Sequence, residues 1–289
     1  MANVLPREKQ LLVLRLLVEG NSIRSVERIT GVRKRTITNL IVKFGEKCRE
    51  FLDRNLRDLE LRHVECDEIW TFCRKKQGRL TDTEKSDPTI GDQYLFVAQD
   101  QGSKLIVTYA VGKRDGEMTE AFIDDLESRM VLPGVTESWD NKPQISTDGW
   151  GAYPAAIIDA FRSRVNYGQL IKNYQNSEQP GRYGPPTMVD SDRRRIVGVN
   201  NLKTICTSHV ERNNLTIRTF MKRFTRLSLG FSKKLENLAA AVAIHVAHFN
   251  FCWRSRENEG GRYRTTAAMQ AGIVSELWDM DRLYDEVMN

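Results

Sequence analysis

His63-Val64-Glu65-Cys66-Asp67-Glu68-Ile69-Trp70-Thr71-Phe72 is the stretch on which the fold turns. It has no Gly or Pro and is rich in β-branched and aromatic residues, so it reads as a strand. Within it Asp67 sits in a context that suits a ligand better than a solvated surface charge. Side chains alternate along a strand, so Glu65 shares a face with Asp67 and is a possible outer partner, while Glu68 points the opposite way.

Two further runs follow, residues 94–99 and 104–111, joined by the hairpin turn Asp100-Gln101-Gly102-Ser103. Residues 118–130 have helical spacing, with Phe122, Leu126 and Met130 inward. A short strand over residues 144–148 ends at Asp148, before the turn Gly149-Trp150-Gly151; a helix over 152–161 and a strand over 165–171 complete the series. Three antiparallel strands, helix, strand, helix, strand is the order of an α/β ribonuclease-H-like mixed sheet flanked by helices. That order puts Asp67 and Asp148 on adjacent strands.

The third acidic residue is in Ser208-His209-Val210-Glu211-Arg212-Asn213-Asn214-Leu215-Thr216-Ile217-Arg218, a helix. Plainer readings exist for both later acids. Asp148 before a glycine suits a turn, and Ser208 with Glu211 has the spacing of a capping box. At about 100° per residue, however, Glu211, Asn214, Arg218 and Lys222 form one stripe opposite Val210, Ile217, Phe220, Met221 and Phe224. A carboxylate in line with an amide and two cations suits a metal ligand whose helix runs beside DNA. Asp67, Asp148 and Glu211 are then the set that holds two divalent ions for phosphoryl transfer, one activating the attacking oxygen and one stabilising the leaving one. His209 is a possible auxiliary to a carboxylate or the scissile phosphate, or a surface histidine. Trp150 is expected to be buried beside the sheet, or else to stack on a flipped base.

Several blocks in this order resemble the transposases of the IS1 family of bacterial insertion elements: Gly91-Asp92-Gln93-Tyr94, Val111-Gly112-Lys113-Arg114-Asp115, Ile145-Ser146-Thr147-Asp148-Gly149 and the Glu211 helix. Arg223-Phe224-Thr225-Arg226-Leu227 and Phe231-Ser232-Lys233-Lys234-Leu235-Glu236-Asn237 extend the match, which covers about residues 90–252. The resemblance implies a DDE transposase that uses Mg²⁺ or Mn²⁺, two ions per site, with Asp67, Asp148 and Glu211 as ligands. It also implies double-stranded DNA as partner, both terminal inverted repeats and target, and at least a dimer on that DNA. The chain departs from the family at Trp150, where His is common, and at residues 255–261, where the family carries His-Lys-Thr.

The remaining residues agree in kind. The 289 residues carry a net charge of +6, unevenly spread. Residues 1–62 hold 14 Lys/Arg against 8 Asp/Glu, and residues 182–234 hold 12 against 3, leaving the rest net acidic. Two basic blocks around an acidic middle suit nucleic-acid contacts flanking a metal site, against the plainer reading of solvated faces. Residues 7–56 show three helical pieces, with an apolar stripe of Leu11, Leu14, Ile29, Ile37 and Leu40 and a cap at Ser22. The third piece starts with Arg33, Lys34, Arg35, Thr36, Thr38 and Asn39 facing out, a helix-turn-helix pattern for DNA, unless the three helices only cap the next domain. Asn214, Arg218, Lys222, Arg223 and Arg226 are the matching candidates for DNA contact in the second block.

The division expected is a helix-turn-helix domain with linker helix over 1–62, a catalytic domain over 63–253 with a loop insertion near 173–202, and a tail over 254–289. Five scattered cysteines read as reduced thiols of a cytoplasmic, nucleoid-associated protein, and no run is long enough to span a membrane. Tyr153 near Asp148 leaves a tyrosine recombinase open by residue type, but the strands around Asp67 argue against it. The alternative function is a non-catalytic DNA-binding repressor or domesticated derivative.

Overall fold

A computed structural model describes residues 5–175, 187–225, 228–255 and 264–289. Three helices come first: α1 (Arg7–Val18), α2 (Ile23–Thr30) and α3 (Lys34–Asn55). Ser22 caps α2 by accepting the Ser25 N–H, and Gly31 ends it in the left-handed region at φ 69°, where a glycine carries no Cβ penalty. The sheet and its helices follow as β1 (His63–Cys73), β2 (Gly91–Asp100), β3 (Ile106–Gly112), α4 (Gly116–Arg129), β4 (Gln144–Thr147), α5 (Tyr153–Phe161), β5 (Asn166–Gln175) and β6 (Thr187–Val197). Last come α6 (Ser208–Phe220), α7 (Leu235–Phe251), α8 (Ala267–Gln270) and α9 (Met280–Met288).

Among the described residues the strands form one mixed sheet in the order β3-β2-β1-β4-β5-β6. β1 pairs antiparallel with β2 and parallel with β4, and Cys66 lies opposite Thr147. The next residue on each strand is Asp67 and Asp148, so the register itself makes the two acids neighbours. Strand β3 starts later than its sequence suggests. Lys104 sits at φ 66°, and the Asp100 carboxylate accepts from the Ser103 N–H at 2.7 Å and its hydroxyl at 2.6 Å, so residues 100–104 are consumed by the turn. At the outer edge Asn250 of α7 replaces a missing strand. Its amide accepts from the Ile106 N–H and donates to the Ile106 carbonyl, both at 2.9 Å, which blunts an otherwise open edge.

The described residues of the segment expected as a loop insertion include paired strands. β5 continues to Gln175 and pairs antiparallel with β6. Strand β6 carries Asp190, Asp192, Arg193, Arg194 and Arg195 on a sheet edge, a composition that hides a strand from periodicity while protecting the edge from further pairing. Gly181 to Pro186, read with it, lie outside the described residues.

The N-terminal helices share one continuous core with α7, α9 and the sheet. Leu11, Leu14, Ile37 and Leu40 enter it, but Ile29 stays 59% exposed. The residues expected as a tail include α8 and α9, whose Tyr284 stacks on Phe44 at 5.5 Å while Trp278 stacks on Phe251 at 4.9 Å. Helices α3 and α7 approach so closely at Gly45 that a Cβ there would lie 2.4 Å from the Ala240 carbonyl oxygen.

Adding one methyl at this crossing tests the packing. Gly45→Ala should cost about 1–3 kcal/mol, a fall of roughly 2–10 °C in thermal midpoint. Gly78→Ala, where a Cβ meets nothing within 4 Å, serves as control; equal midpoints for the two variants would contradict the close crossing.

Candidate active site

Glu65, buried to 2% exposure, begins the site. Its Oε2 accepts the N–H groups of His209 and Val210 at 2.8 and 3.0 Å, and its Oε1 lies 2.7 Å from His209 Nδ1. A β1 carboxylate thus caps the first turn of α6, where unpaired N–H groups and the helix dipole favour negative charge. The capping box weighed as the plainer reading of Ser208 and Glu211 is not formed: the helix starts after Thr207, whose side chain makes no cap hydrogen bond. Glu211 is instead paired with the Lys172 ammonium and accepts from the Thr207 hydroxyl.

Two residues along the same face of β1, Asp67 receives the Asn214 amide of α6, Nδ2 donating to Oδ2 at 2.7 Å. Asn214, expected to touch DNA, is 5% exposed and turned to this carboxylate. Asp67, Glu68 and Asp148 bring carboxylate oxygens within 4.8 Å of one another. Glu68 was expected to face away. Asp148, however, follows the last paired residue of β4 while β1 runs on beside it to Cys73, so its carboxylate is not tied to one face of the sheet and comes within reach of both Asp67 and Glu68. Glu211 lies outside this group of three, though its charge acts on both Asp67 and Asp148.

The electrostatics follow from crowding like charges in a poorly hydrated place. Burial, then the Asp148 charge, pushes Asp67 up to about 7. The same two causes push Glu68 up to about 8, with Arg114 opposing. Asp148 is also raised by burial, against the Trp150 N–H that donates to Oδ1 at 2.9 Å. The Arg114 guanidinium bridges Glu68 and Asp148 at 3.4 and 3.3 Å and stacks 4.3 Å over the Trp150 ring. Arg114 and Lys172 are the cations that sequence reasoning missed. Arg114 stands in a quoted motif block but at no recognisable spacing from the acids, and Lys172 gives no local signal.

Trp150 is partly buried, its indole N–H donating to Thr119 at 3.2 Å, as a residue packed beside the sheet should be. His209 is turned to Glu65. Tyr153 is fully buried and burial pushes its phenol well above the ordinary value, which makes it a poor nucleophile. An all-oxygen cluster with raised proton affinity is the donor set that hard divalent cations such as Mg²⁺ and Mn²⁺ take. The carboxylates present therefore fit such an ion.

The basic residues are dispersed. Arg33, Lys34, Arg35, Thr36 and Asn39 are exposed at the start of α3, whereas the Thr38 hydroxyl donates to the Lys34 carbonyl at 3.0 Å. α6 ends at Phe220, so Lys222, though exposed, leaves the stripe assigned to it. Arg218 stays on the helix, and Arg223 donates to the Ser232 hydroxyl at 2.6 Å. Arg226 lies outside the described residues. Among the described residues no helix is long and apolar enough to cross a membrane.

The raised values fix a pH dependence. A carboxyl whose folded value exceeds its unfolded one contributes stability at low pH that is lost as pH rises through the folded value. Chelator-treated protein should therefore lose thermal stability between about pH 5 and pH 8. Mn²⁺ should restore it, more at the upper end, where protons no longer compete for the oxygens. Asp67→Asn should flatten both effects; a Mn²⁺ shift independent of pH and of Asp67 would remove this cluster as the metal site.

No protein-family model matches the chain, and no curated protein matches it. Among solved structures, the chain is similar to one described as the Mos1 mariner paired-end complex with Mn. The identity is 16%, the match covers 58% of this chain and 60% of that one, and the TM-score is 0.24. The chain thus spans about 60% of that neighbour's length, and a likeness of this size carries no argument about activity.

Proposed function

We propose that the chain is a DNA transposase of ribonuclease-H-like fold, cutting and joining DNA by divalent-metal phosphoryl transfer. The observation that carries this reading is the juxtaposition of the Asp67, Glu68 and Asp148 carboxylates within 4.8 Å, on and beside two adjacent parallel strands at the centre of the sheet. The sheet order and the motif blocks that resemble the IS1-family transposases support it.

Asp67 and Asp148 are assigned as metal ligands, with Glu211 as the third. Two Mg²⁺ or Mn²⁺ ions held there would lower the proton affinity of an attacking water and stabilise the leaving oxygen. The chain's own groups prepare that step. Asn214 donates to one oxygen of Asp67 and holds that carboxylate in place. Arg114 balances Asp148 and Glu68, and Lys172 neutralises Glu211 when no cation is present. Trp150 lies under the Arg114 guanidinium and holds it beside the two carboxylates it bridges.

Recognition of element ends is assigned to residues 1–62, read as a helix-turn-helix unit with the exposed Arg33, Lys34, Arg35, Thr36 and Asn39 presented at the start of α3. Lys222 and Arg218 are assigned to DNA backbone contact, and at least two copies assemble on the DNA.

Asp67→Asn and Asp148→Asn should each abolish Mn²⁺-dependent cleavage and strand transfer on the element's own ends while leaving the circular dichroism spectrum unchanged. Glu211→Gln should do the same; full activity in that variant would hand the third position to Glu68. Replacing Arg33 and Arg35 with Ala should lower the slope of log affinity against log salt by about one unit for each phosphate that is no longer neutralised. An unchanged slope would return this helix start to a solvated face.

A further inference from the structure

Beyond Asp67 the flank of β1 is no longer covered by β4, which stops opposite Cys66. The chain segment after α6 takes that place without forming a strand. Thr71 donates its hydroxyl to the Arg223 carbonyl at 2.7 Å, Cys73 forms a single bridge with Ser232, and the Arg74 N–H donates to the Ser232 carbonyl at 2.8 Å. Between the two segments lies a cavity of about 380 Å³. Its floor is aromatic: Phe72 and Phe231 stack at 4.8 Å, and Trp70 tilts against Phe72 at 5.8 Å. Its rim is cationic, with Arg74, Lys76 and Arg79 exposed, and among the described residues no acidic side chain lines it. Two further cations line it, Lys75, paired with Glu84 at 2.6 Å, and Arg223, bonded to Ser232.

Three observations select one occupant. Lys76 Nζ stands 5.6 Å from the Trp70 ring centroid and 6.0 Å from that of Phe72, so charge and π-faces are presented together. Rings that accept any base beside cations that follow a backbone are the features that hold single-stranded nucleic acid. The groove is also in line with the acidic cluster. Trp70 and Phe72 share a face of β1 with Glu68 of that cluster, and at about 3.3 Å per residue they lie roughly 7 and 13 Å along the strand from it, a few nucleotides away. A DNA end opened at the cluster would reach it as a single strand.

We propose that this groove binds an unpaired stretch of DNA leaving the acidic cluster, with a base on the Trp70, Phe72 and Phe231 rings and phosphates on Arg74, Lys76 and Arg79. The inference rests on the DNA-processing reading above. It adds a single-strand subsite outside the carboxylates and the α3 helix start.

The test uses the full chain and a fluorescein-labelled oligothymidylate, read by anisotropy, beside a duplex of random sequence. The intact protein should bind the single strand. Phe231→Ala should weaken that binding about five- to a hundredfold, the size of one base stack. Lys76→Gln with Arg79→Gln, at exposed positions that cannot disturb folding, should weaken it further and lower its salt slope, while duplex affinity changes less. Single-strand affinity unchanged in both variants would overturn the groove and leave the DNA-processing reading intact. Binding of the duplex but not of the single strand by the intact protein would do the same. An intact protein that binds neither DNA but binds polyglutamate, with loss in the Lys76/Arg79 variant, would overturn both and make the groove a dock for an acidic polypeptide.

Discussion

The Glu65 carboxylate, buried on β1 and accepting the first N–H groups of α6, is the contact on which the geometry of the site depends. Two backbone donors at a helix end satisfy a carboxylate that burial would otherwise leave without partners. In return it fixes where α6 begins. Because residues 65 and 67 share a face, the helix that starts at Glu65 passes over Asp67, and Asn214 arrives at hydrogen-bond distance from it. Glu211, one turn earlier, is thereby held near enough for its charge to act on both aspartates. Without that cap the two aspartates would still be neighbours by strand register, but nothing would set the third acid or the amide.

The second feature of the site is electrostatic frustration. Three carboxylates converge within 4.8 Å, and among the described residues only Arg114 pairs with two of them. Lys172, paired with Glu211, adds a second positive charge that also acts on Asp67 and Asp148. Burial first, and then this repulsion, raise the proton affinity of Asp67 and Glu68. A divalent cation relieves the same repulsion more strongly than protons do at neutral pH, so the free energy that crowds the acids becomes affinity for metal.

Much of this was legible in the sequence because it is local or periodic. The strand around Asp67, the short strand before Asp148 and the helix bearing Glu211 follow from residue type and spacing, and their order implies the adjacency of β1 and β4. What was not legible depends on long-range placement. Alternation sent Glu68 to the far face, and the convergence of three acids arises because Asp148 follows the end of β4 while β1 runs on beside it. Asn214 and Glu211 share a helical stripe with Arg218, yet the stripe faces a carboxylate at one end, and the helix stops before Lys222. Charged β6 lacks the alternation that marks a half-buried strand, and Ile29 shows that an apolar residue at helical spacing need not be buried. The packing of α9 on α3, through Tyr284 and Phe44, leaves no trace in either segment alone.

The central claim is that Asp67 and Asp148 jointly hold a divalent cation beneath α6. Anomalous diffraction at the manganese edge from crystals of the full chain soaked in Mn²⁺ tests it most directly. The account predicts a peak bridging carboxylate oxygens of Asp67 and Asp148, with Glu211 released from Lys172 toward it. A peak confined to the Glu65, Cys206 and His209 group, whose ligand atoms also lie within 4.8 Å of one another, or no peak near Asp67, would contradict it.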